Sequence, residues 1–293
     1  MTSLTDSGEF ILGLGARRAA EMSEDIFLRL RDLIYDASGI YFSAESRATL
    51  ERRLRPRVEA LGFESFEQYD THLRFGPARH DELQLALDSV AVQETYFFRE
   101  ESALRAFREE MLPEIAERRS GERLLRVWSA GCSTGEEAYT LAMLVLESGL
   151  FEGWRVELSA SDLLQRVITE ARRGFYAEKS FRTIAPERRE KYFTPRGDGT
   201  FLVAEPLRAM VDFGCFNLVD SRSFDARPDF DIIFCRNVML YFGTDARRRT
   251  IAAFHRQLRE GGYLVLGASE SLFTLDTPFR LARLRHDLVY QKG

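Results

Sequence analysis

Apolar positions first divide the chain into a helical segment and a longer segment of alternating strands and helices. Residues 23–92 carry apolar side chains at helical spacing, and Leu50, Leu54 and Val58 form one such series. The pattern predicts four short helices and therefore an all-α N-terminal domain. Residues 1–22 mix Gly, Ser and Thr with one short apolar stretch, which predicts a flexible arm.

Two local signals refine these helices. Ser65 and Gln68 have the spacing of a capping box, so a helix is predicted to begin at this serine. Pro56 falls inside the second helix and lacks the N–H that a helix interior uses. We expect it to kink or restart that helix.

Residues 93–293 alternate apolar strands with helices, which predicts a parallel sheet covered on both faces. Residues 174–209 interrupt this alternation with the turn "PRGDGT" between short strand-like pieces, so we predict a small antiparallel insert. The helix "ARRRTIAAFHRQLREGG" is expected to end in its glycine pair, and the last stretch of the chain is expected to form a hairpin. The predicted sheet strands are "RLLRVWS", "RVELSASD", "AMVDFGCFNL", "DFDIIFCRN" and "YLVLGASES".

Composition narrows the function classes. The 293 residues exceed the usual ~100–200 per domain, and the net charge of −5 disfavours a nucleic-acid-binding surface. Cys132, Cys215 and Cys235 share no short spacing, and the four histidines form no ligand pattern, so we expect a reducing cytoplasm and no metal. The chain has no apolar run of about 18 residues, and we expect no membrane insertion and no export.

The stretch "VWSAGCSTGEEAY" (127–139) has the glycine turn of a phosphate cradle, but two glutamates follow it. Ser133 and Glu136 have capping-box spacing, so Glu136 is expected at the helix N-terminus, and Glu137 remains. A carboxylate there would repel a phosphate, whereas a ligand that carries positive charge, such as S-adenosylmethionine, would suit it. The alternative is that both glutamates only favour the first turn of the helix.

Polar residues at strand ends extend this site. Asp162 ends the second strand, where a carboxylate accepts hydrogen bonds from both ribose hydroxyls of NAD or S-adenosylmethionine, or simply caps the next helix. Arg236 and Asn237 end the strand "DIIFCRN", and Tyr241 follows. We expect them to face the ligand crevice, because a buried strand does not leave such groups unpaired. A surface turn with Tyr241 in the core is the alternative.

A third group of candidates lies at the seam between the two domains, in "VQETYFFRE" (92–100). Phe97 and Phe98 are expected in the core. Gln93, Thr95 and Arg99 bracket them and are placed where a lid over the ligand would lie.

These motifs, together with "SASDL", "VDFGCFNL" and "IIFCRNVMLYF", resemble the chemotaxis receptor methyltransferases of the CheR family. The resemblance covers about residues 23–290. It implies a Rossmann-like S-adenosylmethionine-dependent methyltransferase domain with a small antiparallel β insert, preceded by an all-α N-terminal domain. It also implies methyl transfer to the γ-carboxylate of glutamates on the cytoplasmic helices of chemoreceptors, with S-adenosylhomocysteine as product.

The resemblance further assigns roles to individual residues. Arg99 and Tyr241 would lie nearest the reacting methyl group. Gln93 departs from the usual asparagine of the family but keeps the amide. The implied cofactor contacts are Gln93, Thr95, Arg99, Glu137, Asp162, Asn217, Leu218, Arg236 and Asn237.

The second helix of the helical domain would meet the receptor. Arg53 and Arg57 share one face of it and would attract a glutamate-rich helix, although a solvated helix face explains them equally. In some family members the insert binds a short peptide at the receptor's C-terminus by strand addition. The tight turn predicted at Asp198 and Gly199 leaves less sheet edge, and we expect no such tether.

Two other functions stay open from the sequence. One is a methyltransferase that acts on nucleic acid or a small molecule, although no D-P-P-Y or N-P-P-Y loop is present. The other is a non-catalytic regulator that binds the cofactor or an acidic helix. A dehydrogenase is disfavoured because the dinucleotide fingerprint lacks its glycines.

Overall fold

Four helices form the N-terminal part of the structure, a computed structural model that describes residues 21–293. The predicted arm, residues 1–22, lies outside the described residues except for its last two. A short 3₁₀ turn (Ala44–Ser46) precedes the second helix. The four helices are α1 (Glu24–Ser38), α2 (Arg47–Ala60), α3 (Phe66–Phe75) and α4 (Arg79–Val90).

The apolar series that predicted α2 is the buried face of that helix, since Leu50, Leu54 and Val58 are fully buried. Pro56 does not restart the helix, which runs from Arg47 to Ala60 without interruption.

The predicted capping box at α3 is half formed. Ser65 accepts a hydrogen bond from the N–H of Gln68 at 3.4 Å. The side chain of Gln68 accepts from the N–H of Glu64 at 2.9 Å rather than from Ser65.

A seven-stranded sheet forms the rest of the structure, and the predicted α/β fold class is confirmed. Its strand order is β6-β2-β1-β7-β8-β10-β9, in which the first five strands are parallel and β10 pairs antiparallel with both β8 and β9. The strands of this sheet are β1 (Leu124–Ala130), β2 (Arg155–Asp162), β6 (Val211–Cys215), β7 (Phe230–Cys235), β8 (Leu258–Leu266), β9 (Arg280–Arg283) and β10 (Leu288–Gln291).

The chain leaves β1 toward β2 and β6, then returns to place β7 on the other side of β1. This reversal opens a crevice beyond the carboxyl ends of β1 and β7, the usual ligand position in such sheets. Helices cover the sheet, and every helix of residues 21–293 is too short or too polar to cross a membrane. The helices are α5 (Glu101–Ala106), α6 (Leu112–Arg118), α7 (Glu136–Ser148), α8 (Gln165–Arg173), α9 (Pro186–Tyr192), α10 (Glu205–Met210) and α11 (Thr244–Gln257), with a π-helical turn (Phe107–Met111) between α5 and α6.

The insert contains a three-stranded antiparallel sheet of β3 (Phe175–Ala177), β4 (Phe193–Pro195) and β5 (Thr200–Val203), in the order β3-β5-β4. The turn between β4 and β5 is longer than the two-residue hairpin that the sequence predicted. Arg196 N–H donates to the carbonyl of Thr200 at 2.8 Å, which leaves three loop residues that end in Gly199 at φ 77°. This is the three-residue hairpin with a left-handed glycine.

The glycine pair after α11 was also misplaced by the sequence prediction. The helix ends at Gln257, and both glycines lie inside β8. The pairing of β7 with β8 shifts between Phe230 and Ile232, so the pair sits in a β-bulge. Gly261 has φ 71°, which explains why glycine is needed there.

Candidate functional site

A pocket lies at the crevice beyond β1 and β7, and the helical domain closes it from above. Ser38 and Ile40 of the helical domain contribute to its wall. The cleft measures about 1120 Å³ including its open mouth, enough for a nucleoside-sized ligand. All ten residues that were predicted to bind cofactor or act near the methyl group line it: Gln93, Thr95, Arg99, Glu137, Asp162, Asn217, Leu218, Arg236, Asn237 and Tyr241.

The glycine turn after β1 forms the pocket floor. The N–H groups of Gly131 and Cys132 both donate to the carbonyl of Ser161, at 2.7 and 3.0 Å. Gly131 has φ 84°, and a Cβ atom there would lie 2.4 Å from Val238. Any side chain at this position would therefore strain the backbone and clash with the loop after β7.

The capping box predicted for Ser133 and Glu136 is absent from this turn. Gly135, at φ 95°, is the residue before α7, so Ser133 lies too early to cap it. The buried hydroxyl of Ser133 has no hydrogen-bond partner among residues 21–293. Glu136 instead accepts from the hydroxyls of Thr134 (2.7 Å) and Ser180 (3.0 Å), and burial raises its pKa.

Glu137, the glutamate expected to remain for a ligand, lines the pocket, and its carboxylate also has two protein partners. One carboxylate oxygen accepts from the Ser129 hydroxyl at 2.7 Å, and the other lies 3.2 Å from Nη1 of Arg236. The side chain of Arg236, directly after β7, is 2% exposed, and its Nη2 also lies 3.2 Å from Oε2 of Glu100. Its Nε atom is buried and has no hydrogen-bond partner within the described part of the chain.

Asp162 ends β2, as predicted, and its carboxylate touches the glycine turn. It accepts from the N–H of Ser133 at 3.0 Å and from the N–H of Leu164 at 3.1 Å. The capping alternative is not met, because Leu164 is the residue before α8 and no side chain caps that helix. Burial raises the pKa of Asp162 despite these bonds.

The seam segment places its three polar residues along the pocket wall. The amide of Gln93 donates to Asp88 at 2.9 Å and accepts from Arg166 at 2.6 Å, which ties the wall to α4 and α8. Arg99 donates to the carbonyl of Glu94, and its side chain is 25% exposed. Phe97 is fully buried, as predicted.

Two further wall residues connect the pocket to the helical domain. The amide of Asn217 donates to the carbonyl of Ala37 at 2.9 Å. The carbonyl of Tyr241 accepts from the N–H of Tyr41, also at 2.9 Å. The site is therefore built jointly by both parts of the chain.

Backbone strain is concentrated around this pocket. Five described non-glycine residues have positive φ, and four of them, Phe98, Glu100, Ser133 and Asn237, lie in its wall or beside it. Such conformations cost about 1–3 kcal/mol each and persist where the surrounding structure fixes them, often at functional sites.

Arg53 and Arg57, the predicted substrate contacts, do not line this pocket and are engaged inside the helical domain. Arg53 donates to the carbonyl of Val90 at the end of α4. Arg57 forms a two-pronged ion pair with Glu82, at 3.0 and 2.6 Å. Both guanidinium groups therefore already serve contacts within the fold.

Two further carboxylates belong to the site and were not predicted from the sequence. Glu100 accepts from the side-chain amide of Asn237 and from the N–H of Ala268, each at 3.1 Å. Glu270 accepts from the backbone of the loop after β7. Position in the chain gave a signal for both, since Glu100 ends the quoted seam motif and Glu270 follows the carboxyl end of β8.

The charge in the pocket suits a cationic ligand. Three carboxylates, of Glu94, Glu137 and Asp162, line it against the two guanidinium groups of Arg99 and Arg236. Burial raises the pKa of the Cys132 thiol, and the charges of Asp162 and Glu137 raise it further. A site with excess carboxylate and a close glycine approach fits S-adenosylmethionine better than a dinucleotide diphosphate.

Comparison with known proteins gives matches along the described part of the chain. Residues 93–288 match the family described as "CheR methyltransferase, SAM binding domain", and residues 25–91 match "CheR methyltransferase, all-alpha domain". Chemotaxis protein methyltransferase 2 of Vibrio cholerae serotype O1 is 37% identical over 267 residues, 91% of this chain and 92% of that protein.

Two other relatives extend this similarity. The chemotaxis protein methyltransferase of Borreliella burgdorferi is 33% identical over 255 residues, 86% of this chain and 89% of that one. Chemotaxis protein methyltransferase 1 of Pseudomonas aeruginosa is 30% identical over 273 residues, 90% of this chain and 97% of that one.

Proposed function

We propose that this chain, which belongs to the CheR methyltransferase family, transfers a methyl group from S-adenosylmethionine to the γ-carboxylate of glutamates on chemoreceptors. The family membership and the names of the relatives support the cofactor and the substrate class. The observation that carries the proposal is the convergence of the ten predicted residues on one pocket with excess carboxylate.

Within that pocket, Asp162 would accept hydrogen bonds from the ribose hydroxyls of the cofactor. Glu137 would face its positively charged part, while Arg236 holds the Glu137 carboxylate in place. The side-chain amides of Gln93 and Asn237 line the pocket, and each would offer its second N–H to the rest of the cofactor.

The chemistry asks for positioning rather than proton transfer. The sulfonium of the cofactor supplies an activated methyl group. A glutamate with an ordinary pKa of about 4.3 is already ionised at pH 7, so this chain needs no general base. Holding the carboxylate in line can contribute about 7–11 kcal/mol in favourable cases. Arg99, at the mouth of the pocket, would orient the carboxylate by a two-pronged contact, and Tyr241 would border the reacting atoms.

The receptor helix would approach over the helical domain. Arg47 and Arg52 are exposed on α2 and form no ion pair within residues 21–293, whereas Arg57 pairs with Glu82 and Arg53 donates to the carbonyl of Val90. We assign the attraction of a glutamate-rich helix to this exposed pair. Because chemoreceptor methylation helices are cytoplasmic, we place the reaction in the cytoplasm.

Turnover with receptor-bearing membranes and methyl-labelled S-adenosylmethionine tests the proposal. The wild type should label the receptor band, and calorimetry should show binding of S-adenosylmethionine and S-adenosylhomocysteine but not of NAD. Tight NAD binding without receptor labelling would contradict the proposal.

The same assay tests the roles of Arg99 and Tyr241. Arg99→Ala should lower kcat even at saturating cofactor, and Tyr241→Phe should lower kcat with little loss of cofactor affinity. An Arg99→Ala variant that only raises the KM for cofactor would make Arg99 a binding residue.

A further inference from the structure

The loop after β7 carries Arg236, Asn237 and Tyr241, and its backbone is unusual. Asn237 has φ 59°, and a short 3₁₀ turn (Met239–Tyr241) follows it. A loop of this shape cannot pair its N–H groups with a neighbouring strand. Buried backbone donors need partners, so something outside the loop has to accept these hydrogen bonds.

Glu270 is that acceptor. Its Oε2 accepts from the N–H of Asn237 at 2.6 Å, and its Oε1 accepts from the N–H groups of Val238 and Leu240, each at 3.1 Å. Oε2 also accepts from Gly267 N–H at 2.8 Å. A carboxylate offers about four acceptor positions, and these four bonds occupy them.

The turn that presents Glu270 is packed directly against the loop. Glu270 N–H donates back to the carbonyl of Gly267 at 2.8 Å, which closes the turn. A Cβ atom on Gly267 would lie 2.7 Å from the side-chain nitrogen of Asn237 and 2.9 Å from Oε2 of Glu270. Glycine at this position therefore allows the carboxylate to reach the loop.

The other side of the loop is held by the helical domain. Tyr241 accepts from Tyr41 N–H at 2.9 Å, and Gly243 N–H donates to the carbonyl of Gly39 at 3.1 Å. Glu270 is the contact from the sheet side. It binds the N–H groups of the two residues directly before the Met239–Tyr241 turn and of Leu240 within that turn.

We propose that Glu270 is a positioning residue, whose carboxylate fixes the backbone of residues 237–240 and thereby sets Tyr241 and Asn237 in the pocket. The proposal rests on the proposed function, which gives Tyr241 its place at the reacting methyl group. Glu270 itself touches neither cofactor nor substrate in this account.

The variant Glu270→Gln distinguishes this positioning role from a role in packing alone. Gln has the same shape as Glu, but it replaces one acceptor oxygen with an NH₂ group. In Glu270→Gln this NH₂ group would face backbone N–H donors. At least one backbone N–H of the loop would then lose its acceptor. A residue needed only for its volume would tolerate the change.

The test is a double-mutant cycle of Glu270→Gln with Tyr241→Phe, assayed for receptor methylation at saturating cofactor. We expect Glu270→Gln to lower kcat about 10- to 100-fold, the factor that follows from losing one or two charge-assisted hydrogen bonds. Adding Tyr241→Phe to it should cost little more, because both changes act through the same side chain. Glu147→Gln, which breaks an ion pair with Arg188 outside the site, is the matched control and should keep kcat near that of the wild type.

Multiplicative effects of the two substitutions, or a Glu270→Gln kcat equal to that of the control, would overturn the proposal. Gly267→Ala keeps the carboxylate but pushes it from the loop, and it should reproduce the loss of kcat even if Glu270→Gln folds poorly. Thermal unfolding of each variant separates loss of fold from loss of turnover.

Failure of the proposed function has a different signature. If the wild type labels no receptor, or Tyr241→Phe leaves kcat unchanged, the function or the role of Tyr241 is wrong. In that case the role of Glu270 is tested by the affinity of the variants for S-adenosylhomocysteine. This affinity should fall in Glu270→Gln and in Gly267→Ala, because both changes shift Asn237. Unchanged affinity in both variants would overturn the role of Glu270 as well.

Discussion

The ion pair of Arg57 and Glu82 predicts that Arg57 stabilises the fold, whereas the sequence alone assigns Arg57 to the receptor-binding surface. Glu82 lies in the core of the helical domain with its side chain 5% exposed, whereas that of Arg57 is 24% exposed. Arg57 supplies two hydrogen bonds to the carboxylate and Tyr69 supplies a third at 2.8 Å. These contacts raise the pKa of Arg57, with the hydrogen bond to Glu82 as the largest cause.

Arg57→Ala should therefore destabilise the protein. The substitution removes two of the three hydrogen bonds to the buried Glu82 carboxylate and leaves the one from Tyr69. Removing one partner of a buried ion pair costs about 3–5 kcal/mol of folding stability. We expect a value near the lower end because Arg57 is partly exposed. Arg57→Glu should be worse, since two carboxylates about 4 Å apart repel by about 4 kcal/mol at an effective dielectric constant of 20.

Urea unfolding, followed by circular dichroism, measures this loss. Glu82→Gln should cost less than Arg57→Ala, because water can solvate the arginine that remains. The double variant should recover part of the loss. Arg52→Ala, on the exposed face of the same helix, is the control and should stay within about 0.5 kcal/mol of the wild type. An Arg57→Ala loss equal to that of the control would refute the reasoning and return Arg57 to the substrate surface.

The remaining predictions concern binding. Asp162→Ala should weaken S-adenosylhomocysteine binding by about 1.5–3 kcal/mol in calorimetry, whereas Glu157→Gln at the far side of β2 should not. Because burial raises the pKa of Asp162 and the ionised form accepts the ribose bonds, affinity should fall as pH drops through that raised pKa; a flat profile would argue against the ribose role. Reversing Arg47 and Arg52 to glutamate should slow receptor methylation without changing cofactor affinity, and added salt should slow the wild type but not this variant. A receptor-tail pentapeptide of the Trp-Glu-Thr-Phe type should not bind, and micromolar binding that is lost when Gly199 is made bulky would establish the insert as a docking site.

The sequence predicted the fold class because the two hydrophobic periods were clear along most of the chain. The prediction from sequence was wrong where one local pattern is compatible with two different structures. The glycine pair of residues 261–262 can end a helix or form a bulge, and only its pairing with β7 decides between them. Ser133 has capping-box spacing, but the left-handed turn around it moves the helix start to Gly135.

The candidate site was predictable where chain order implies position in space. Strand ends of a parallel sheet meet at one edge, which brought Asp162 and Arg236 into one prediction. The contacts of Arg57 could not be predicted in this way. Helical spacing places Arg57 on the same face as Arg53 but does not reveal its partner Glu82, which comes from another helix. Glu270 follows the carboxyl end of β8, but its contacts were missed because its partners are backbone N–H groups, which no motif identifies.

Chemical identification of the transferred methyl group tests the central claim most directly. The protein is incubated with methyl-labelled S-adenosylmethionine and receptor-bearing membranes, and the labelled receptor is then treated with alkali. The account predicts that the label leaves as volatile methanol, because a glutamate methyl ester is hydrolysed by base, and that receptor peptides carry the methyl group on glutamate. Label that stays on the protein after alkali, or that appears on nucleic acid or a small molecule instead, would contradict the account.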